Sequence, residues 1–369
     1  MNWALNCQLV KNVLSSLQEL AKYHRAQLNI PVLCITGSNG KTTTKELMRC
    51  VLSKKYNTLA TAGNLNNHIG VPLTLLSVTK DIQFAIVEIG ANHVGEISLL
   101  CEIAQPDYGL ITNIGKAHLG EFGGPENVIK AKSELYQYLK KTKKKIFFNS
   151  DNPLLSSLSE DTNRINYNTT FTCSLCEASP FLKIQFEDQI ISSQLIGIYN
   201  LENVASVICA GKYFGVENEK IKQAIEEYIP SDSRSQILKK GSNTIISDAY
   251  NANPDSMRVA IENFSSIKSE NKILILGDML ELGDYSAQEH QVILKLIMDN
   301  NFERVILIGK NFISAALAIN FSAKEKFFFN TSDEFICNIQ SIPLLQNNPS
   351  FILIKGSHGI RLEKVVKYL

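Results

Sequence analysis

The residues best suited to chemistry form one continuous stretch, Ile35-Thr36-Gly37-Ser38-Asn39-Gly40-Lys41-Thr42-Thr43-Thr44. The apolar run from Val32 to Ile35 predicts a buried strand before it, and the residues from Thr42 to Ser53 are compatible with a helix after it. A strand, a Gly-rich turn with a lysine and a helix form a phosphate-binding loop, because backbone N–H groups and the helix N-terminus attract phosphate oxygens. Lys41 can reach the outer phosphates, and the Thr42 hydroxyl can ligate magnesium. The stretch therefore predicts a nucleoside triphosphate site.

This loop is a short variant of the common pattern, in which four residues separate the first glycine from Gly-Lys-Ser/Thr. Five positions before Gly40 the chain has Ile35, and the nearer glycine is Gly37. The alternative is an ordinary turn between a strand and a helix. The order of strand, glycines, lysine and threonines favours the phosphate-binding loop.

The length and composition are those of an ordinary globular protein. A chain of 369 residues predicts about two or three domains. The net charge of +1 gives no reason to expect a nucleic-acid partner. No apolar run approaches the roughly 18 residues that span a bilayer, and no signal peptide is evident, so we expect a cytoplasmic protein without a membrane span.

The cysteines are scattered along the chain. Only Cys173 and Cys176 form a C-x-x-C pair, and no second pair completes a zinc site. Free thiols in a reducing cytoplasm are the expected state.

Polar residues follow two further predicted strands. The run from Phe84 to Gly90 predicts a buried parallel strand that carries Glu88 near its end. Ligands sit at the carboxyl ends of strands in open α/β sheets, so Glu88 is placed to hold magnesium, although a surface carboxylate is the alternative. His118 follows the strand from Tyr108 to Thr112 on the same rim, although a lone histidine is more often structural than a ligand. Lys132 lies near this rim on the next predicted helix.

The regions beside the loop are less specific. Apolar spacing over residues 10–24 predicts an amphipathic helix, which we expect to pack beside the phosphate-binding loop. Residues 61–72 are rich in Asn and Gly and predict a loop. Its amides could bind a polar substrate or cap turns, and the local sequence does not decide between these roles.

The second half of the chain predicts a new unit. Asn200 suits the N-cap of a helix whose pattern continues to Tyr228, and Pro230 to Ser233 interrupts it. Strands and helices then alternate, with polar residues after the strands, as in a second doubly wound sheet. No Gly-x-Gly-x-x-Gly motif indicates a dinucleotide site. The predicted strands are 244–247, 273–276, 305–308 and 351–354.

The predicted fold class is therefore α/β, with a central P-loop ATPase-type domain built on a parallel sheet and a C-terminal doubly wound, Rossmann-like domain. We expect residues 27–230 to form the central ATP-binding domain and residues 231–369 to form the C-terminal domain. Residues 1–26 are expected to be a linker or the remnant of a preceding substrate domain.

Several motifs, in the same order along the chain, resemble those of the Mur ligases. The match runs from about residue 10 to the end, and it is most specific for the branch that joins D-alanyl-D-alanine to UDP-N-acetylmuramoyl-tripeptide. The motifs are the phosphate-binding loop, Asn64 to Pro72, Glu88-Ile89-Gly90-Ala91-Asn92-His93, Asp248-Ala249-Tyr250-Asn251-Ala252-Asn253-Pro254 and Leu276-Gly277-Asp278-Met279-Leu280-Glu281-Leu282-Gly283.

The resemblance implies a role for each matching residue. Lys132 is similar to a lysine that carbon dioxide converts to a carbamate in this family. The implied catalytic residues are Lys41, Glu88, His118 and Lys132, and the implied magnesium ligands are Thr42, Glu88 and His118. The implied ATP-binding residues are Gly37, Ser38, Asn39, Gly40, Lys41, Thr42, Thr43, Asn203, Arg234 and Asp248. The implied substrate-binding residues are Asn66, Asn67, Tyr250, Asn251 and Asn253, and Tyr199 stands where many relatives have His and receives no role.

The implied activity is ATP-dependent peptide ligation in peptidoglycan synthesis. ATP phosphorylates a substrate carboxylate, and the amine of D-Ala-D-Ala attacks the resulting acyl phosphate. The implied partners are UDP-N-acetylmuramoyl-tripeptide, D-Ala-D-Ala, ATP and magnesium, and we expect a monomer. Closure of the two domains would exclude water from the acyl phosphate.

The beginning of the chain departs from the family pattern, because full-length relatives carry a further N-terminal domain that recognises the UDP-sugar. Two alternatives stay open. The first is a folylpolyglutamate-synthase-like ligase, although its Asp-Gly-Ala-His-Asn-type stretch differs from Asp248 to Pro254 here. The second is a truncated, non-catalytic ATP-binding module, against which the retained catalytic residues argue.

Overall fold

A computed structural model describes residues 9–170, 172–231, 233–269, 271–342 and 349–369. It confirms a mixed α/β chain with two six-stranded sheets. The first sheet is built from residues 32–167 and the second from residues 236–355. The predicted domain division at residues 230 and 231 lies in the connection between them and remains a prediction.

The first sheet is entirely parallel, with strand order β2-β3-β1-β4-β5-β6. Every residue of β1 and β3 is buried, as the apolar runs predicted, because helices cover both faces of the sheet. The strands are β1 Val32–Thr36, β2 Thr58–Ala60, β3 Phe84–Glu88, β4 Tyr108–Ile111, β5 Lys145–Asn149 and β6 Asn163–Tyr167.

Seven helices connect or precede these strands in the described part of the chain. They are α1 Val13–Gln27, α2 Lys41–Leu52, α3 Gly70–Leu76, α4 Glu96–Ala104, α5 Leu119–Phe122, α6 Pro125–Lys141 and α7 Pro153–Leu158. The helix α2 follows the phosphate-binding loop directly, and α6 carries Lys132.

Two expectations about this region were wrong. The helix α1 packs against α3 and α4 rather than beside the phosphate-binding loop. Arg25 shows why, since its guanidinium donates to the Ala104 and Gln105 carbonyls and to Asp107, beyond the end of α4. The loop predicted over residues 61–72 ends early, because α3 begins at Gly70.

A small antiparallel sheet and two helices follow. The sheet consists of β7 Ser174–Glu177, β8 Phe181–Phe186 and β9 Gln189–Ile196. The helices are α8 Asn200–Tyr213 and α9 Asn218–Glu227, so the predicted continuous helix is interrupted between them. Tyr199 occupies the N-cap of α8, and the prediction of Asn200 was wrong. The Asn200 side chain instead donates to the Ile196 carbonyl.

The second sheet has the order β10-β11-β15-β12-β13-β14 and is parallel except for the β10–β11 hairpin. Its strands are β10 Gln236–Lys240, β11 Asn243–Asp248, β12 Lys272–Gly277, β13 Arg304–Ile308, β14 Glu325–Phe329 and β15 Phe351–Lys355. The helices are α10 Pro254–Ser266, α11 Ser286–Asp299, α12 Lys310–Ala318 and α13 Ser332–Asn338. The four predicted strands are confirmed, whereas β10 and β14 were missed.

The two sheets meet through the segment that follows β4. Leu119 and Phe122 of α5 share one buried apolar cluster with Met279 and Leu282, which follow β12. The Gly120 N–H donates to the Glu281 carbonyl at 2.9 Å. This contact places the ends of the strands of both sheets around a common cavity.

Candidate active site

The phosphate-binding loop is a close-fitting turn that requires its two glycines. Gly37 has φ +147°, and a Cβ there would lie 2.0 Å from Thr112 Oγ1. Gly40 has φ +79°, and a Cβ there would lie 2.6 Å from Asn203 Oδ1. Both positions need a backbone that other residues rarely adopt, and both face side chains of neighbouring elements. The sequence pattern of the loop is therefore explained by its packing.

The loop is held by the segment after β4, the neighbour of β1. Asn113 accepts from the Ser38 N–H through its carbonyl at 3.0 Å and from the Asn39 N–H through its side chain at 2.9 Å. The Thr112 hydroxyl donates to the Asn39 carbonyl at 2.6 Å. These bonds fix the curvature of the loop before any ligand binds, which is the preorganisation that an anion site needs.

Lys41 folds back over this loop. Its Nζ donates to the Gly37 carbonyl at 2.6 Å and to the Ser38 carbonyl at 3.2 Å. Desolvation lowers the pKa of Lys41, Glu88 raises it, and the cation of Arg234 lowers it again. An incoming phosphate would therefore add negative charge beside a buried cation whose direct hydrogen bonds go to carbonyl oxygens.

Glu88 and Thr42 bring two oxygen-bearing side chains together beneath the loop. Glu88 is 1% exposed, and its Oε2 accepts from the Thr42 hydroxyl at 2.9 Å. Its Oε1 accepts from Asn66 Nδ2 at 2.8 Å. A hydroxyl and a carboxylate beside a phosphate-binding loop are the hard oxygen donors that Mg²⁺ prefers. The residues present therefore fit a magnesium ion.

His118 lies at the start of α5 with φ +53°. Its Nδ1 is 2.7 Å from Oε2 of Glu281, which follows β12, and 3.6 Å from Oε2 of Glu121. The adjacent His118 ring lowers the pKa of Glu281. His118 lines the same cavity as Glu88, but its Nδ1 pairs with a carboxylate from the second sheet. Sequence reasoning gave Glu281 no role.

Lys132 is buried on α6 with a sparse set of partners. It is 1% exposed, and its Nζ lies 3.4 Å from the Ala91 carbonyl and 5.6 Å from the centre of the Phe122 ring. Burial, followed by the charge of Lys41, lowers the pKa of Lys132 to about 7. A large part of this amine is therefore neutral at physiological pH.

Residues of the second sheet reach the same cavity. The Arg234 guanidinium stacks 3.5 Å from the centre of the Tyr250 ring. Asp248 accepts from the Ser235 N–H at 3.0 Å and from Lys355 Nζ at 2.6 Å. These contacts fix the predicted ATP-binding residues Arg234 and Asp248 at the edge of the second sheet that faces the phosphate-binding loop.

Four predicted asparagines make specific contacts within the protein. Asn67 Oδ1 accepts from the Ile69 and Gly70 N–H groups in the turn that leads into α3. Asn253 caps α10 and donates to Asn39 Oδ1 of the phosphate-binding loop at 2.8 Å. Asn251 Oδ1 accepts from the Ala252 N–H. Asn203 accepts from the Thr44 hydroxyl at 3.1 Å and donates to Asn200 Oδ1 at 2.9 Å.

One cavity of about 1120 Å³ collects these groups. It is lined from the first sheet by Lys41, Glu88, His118 and Lys132, and from the second by Arg234 and Asp248. Of the predicted site residues, Gly37 alone is absent from the lining, because it turns towards Thr112. The arrangement combines an anion site, two oxygen ligands for a metal and a near-neutral buried amine in one space.

Sequence reasoning missed two charged residues of this region, Lys45 and Glu281. Lys45 lies four positions after Lys41 on α2, and its Nζ is 3.8 Å from Glu88 Oε2. The spacing along the helix could have indicated that Lys45 and Lys41 share one face. No local signal pairs Glu281 with His118, because the two belong to different sheets.

Comparison with known proteins identifies the class. The model of the Mur ligase middle domain matches residues 35–211, and the model of the Mur ligase glutamate ligase domain matches residues 233–358. The chain therefore belongs to the Mur ligase family of ATP-dependent ligases.

Within that family, the chain groups with one branch along nearly its whole length. It is 34% identical over 371 residues to the UDP-N-acetylmuramoyl-tripeptide--D-alanyl-D-alanine ligase of Bacillus subtilis, covering 98% of this chain and 80% of that protein. The Escherichia coli protein of the same name is 30% identical over 374 residues, with 98% and 81% covered.

Solved structures agree with this assignment. The structure of MurF from Acinetobacter baumannii superimposes with a TM-score of 0.86 at 31% identity, covering 97% of this chain and 81% of that one. Mycobacterium tuberculosis folylpolyglutamate synthase complexed with ADP has a TM-score of 0.73 at 13% identity, covering 96% and 93%, which shows a shared fold alone. In the described part of this chain, no helix has the length and apolar character that crossing a membrane requires.

Proposed function

We propose that this chain is an ATP-dependent ligase that adds D-alanyl-D-alanine to UDP-N-acetylmuramoyl-tripeptide in peptidoglycan precursor synthesis. The observation that carries the proposal is the single cavity into which Lys41, Glu88, Lys132 and Arg234 all project from separate elements. The substrates come from the relatives, which bear that name over 98% of this chain. The folylpolyglutamate-synthase-like alternative has only a shared fold in its favour.

The reaction joins a carboxylate to an amine in two steps. An oxygen of the tripeptide carboxylate attacks the γ-phosphorus of ATP, the bond to ADP breaks, and an acyl phosphate forms. The amine of D-Ala-D-Ala then attacks the acyl carbon, phosphate leaves, and the amine loses a proton. Activation is needed because a carboxylate is a poor electrophile.

The first step brings two anions together, so the protein must supply positive charge. The N–H groups of the phosphate-binding loop and the Lys41 ammonium would stabilise the γ-phosphate as charge shifts during transfer. Thr42 and Glu88 would hold magnesium, which supplies further neutralisation of the phosphate oxygens. His118 is proposed as the third metal ligand, and ligation through its Nδ1 would replace the contact with Glu281, because that nitrogen has one lone pair.

Lys132 is proposed to react with carbon dioxide. The neutral amine attacks the carbon of CO₂ and releases one proton, which leaves an N-carboxylate in place of a cation. The weak contact of its Nζ with the Ala91 carbonyl supports this, since no stronger acceptor holds the amine among the residues that the structure describes. The product would be an anion close to the proposed magnesium site.

The contacts between the two sheets support a closed arrangement of the site. Asn253 bonds to Asn39 of the phosphate-binding loop, and the Lys116 N–H donates to Asp255 at 2.7 Å. These bonds place Arg234 and Asp248 opposite the phosphate-binding loop, where they would contact the nucleotide. The cytoplasmic location and the monomeric state remain predictions.

The test is ATP-dependent phosphate release by the 369-residue chain. The assay contains UDP-N-acetylmuramoyl-tripeptide, D-Ala-D-Ala, magnesium and bicarbonate, and each substrate is omitted in turn. The proposal requires that release depend on both peptide substrates and that a new amide product appear by mass spectrometry. ATP binding without release in the complete mixture would instead identify a non-catalytic ATP-binding module.

A further inference from the structure

A completely buried lysine, Lys45, lies beside the Glu88 carboxylate that accepts from Thr42, and it has no part in the roles given so far. Lys45 is 0% exposed, and its Nζ donates to the Thr61 carbonyl at 2.6 Å and to the Gly63 carbonyl at 3.0 Å. Its Nζ is also 3.0 Å from Glu46 Oε1 and 3.8 Å from Glu88 Oε2. A buried charge needs partners of this kind, because removing an ammonium from water is strongly unfavourable.

Lys45 directs its hydrogen bonds to one set of oxygens, and its charge acts on Glu88, which lies farther away. An ammonium has three N–H donors, and three oxygens lie within 3.0 Å of Lys45 Nζ. Glu88 lies farther away, so Lys45 offsets its charge without occupying a lone pair of its carboxylate. Those lone pairs remain for the Thr42 hydroxyl, for Asn66 and for an incoming cation.

The same lysine anchors the loop that carries Asn66. The Thr61 hydroxyl accepts from the Glu88 N–H at 2.9 Å, and the Thr61 carbonyl accepts from Lys45. Residues 61–63 are thereby tied both to α2 and to the end of β3. Lys45 thus joins the three elements that fix the Glu88 carboxylate, namely α2, β3 and the loop with Asn66.

We propose that Lys45 is a positioning residue for magnesium binding, which holds the Glu88 carboxylate and the 61–66 loop in the orientation that accepts the ion. The inference rests on the nucleotide and magnesium part of the proposed function. It does not depend on the identity of the peptide substrates. The side chains that orient metal ligands typically change metal affinity 10- to 100-fold when they are removed.

The first experiment measures ADP binding by calorimetry across a magnesium titration and in EDTA. The substitution Lys45→Met should raise the magnesium concentration for half-maximal enhancement about 10- to 100-fold. ADP affinity in EDTA should change by less than about threefold, because Lys45 lies outside the cavity that collects the nucleotide-binding groups. Lys54→Met is the matched control, since Lys54 follows the same helix and pairs with Glu227 at the surface.

The second experiment tests whether Lys45 acts through Glu88. Melting temperatures without magnesium are compared for Lys45→Met, Glu88→Gln and the double variant. Lys45→Met removes the cation that lies 3.8 Å from the buried Glu88 carboxylate, so it should lower the melting temperature more in the wild-type background than in the Glu88→Gln background. If Lys45→Met does not fold, recovery of folding in the double variant supports the proposal.

Three outcomes would overturn it. They are an unchanged magnesium midpoint in Lys45→Met, an equal loss of melting temperature in both backgrounds, and failure of the double variant to fold when Glu88→Gln does fold. Neither experiment uses a peptide substrate. Loss of ligation together with normal magnesium-dependent ADP binding would therefore count against the proposed function alone.

Discussion

The proposed reaction of the buried Lys132 amine with carbon dioxide predicts how the rate of carbamate formation depends on pH. The perturbation is removal of CO₂ from the buffer, followed by its return at a fixed concentration of dissolved CO₂ and a series of pH values. Only the neutral amine attacks CO₂, so the rate of carbamate formation should follow the neutral fraction of Lys132. That fraction rises with pH, because deprotonation removes the positive charge.

The magnitude follows from the pKa of about 7 that burial and the charge of Lys41 give Lys132. The neutral fraction is then about one-tenth at pH 6, about one-half at pH 7 and about nine-tenths at pH 8. The rate should therefore rise about tenfold from pH 6 to pH 8 and then level off. An ordinary lysine would remain below about 1% neutral at pH 8, and its rate would continue to rise tenfold per pH unit.

The assay adds ¹³C-labelled bicarbonate to CO₂-depleted protein and follows a carbamate carbon by NMR, in parallel with recovery of ligase activity. Lys132→Ala should abolish the signal and reduce the activity. Lys130→Ala is the matched control, because Lys130 lies two positions earlier on the same helix and is exposed. A rate that still climbs tenfold between pH 8 and pH 9, or a signal that persists in Lys132→Ala, would refute the reasoning.

Three further perturbations test how the site is held. Gly120→Ala places a Cβ 2.6 Å from the Gly283 backbone N and 2.9 Å from its Cα, so it should separate the two sheets. Turnover should fall about 100-fold and ADP binding should weaken, because Arg234 and Asp248 would move away from the phosphate-binding loop; an unchanged turnover would contradict this. Asn203→Ala leaves the Thr44 hydroxyl and the Asn200 side chain without their shared partner, so urea unfolding should show a loss of about 1–3 kcal/mol even without nucleotide. Arg25→Met removes the buried partner of Asp107 and two carbonyl contacts, so the free energy of unfolding should fall by about 3 kcal/mol; a loss below about 1 kcal/mol would mean that α1 is held by its apolar contacts alone.

Local sequence was sufficient where one short segment carries both the structure and the chemistry. The phosphate-binding loop follows this rule, because strand, glycines, lysine and helix are consecutive and the backbone itself provides the anion site. Glu88 follows it too, since a continuous apolar run predicts a buried strand and the carboxylate stands at its end. The family resemblance and the α/β class were confirmed on these motifs.

Local sequence was insufficient where the hydrogen-bonding groups of a side chain could find partners in several ways. The amides of residues 64–67 could bind a polar ligand or cap turns. In the structure, Asn66 Nδ2 donates to Glu88, whereas Asn67 Oδ1 accepts from the Ile69 and Gly70 N–H groups before α3. Asn200 suited an N-cap by type, yet its amide bonds to the Ile196 carbonyl inside the protein. The choice depends on which donors and acceptors the surrounding chain brings within about 3 Å.

The sequence by itself determined the phosphate-binding loop, the strand that carries Glu88 and the alternation that builds two sheets, because each depends on neighbours along the chain. Only the tertiary structure decided the partners of the charged residues. Lys45 lies beside Glu88, which is 43 positions later in the sequence (88 − 45). His118 lies beside Glu281, which is 163 positions later (281 − 118). A buried charge is stabilised by the opposite charge that the fold places within a few ångströms, and the separation of two residues in the sequence does not predict that distance.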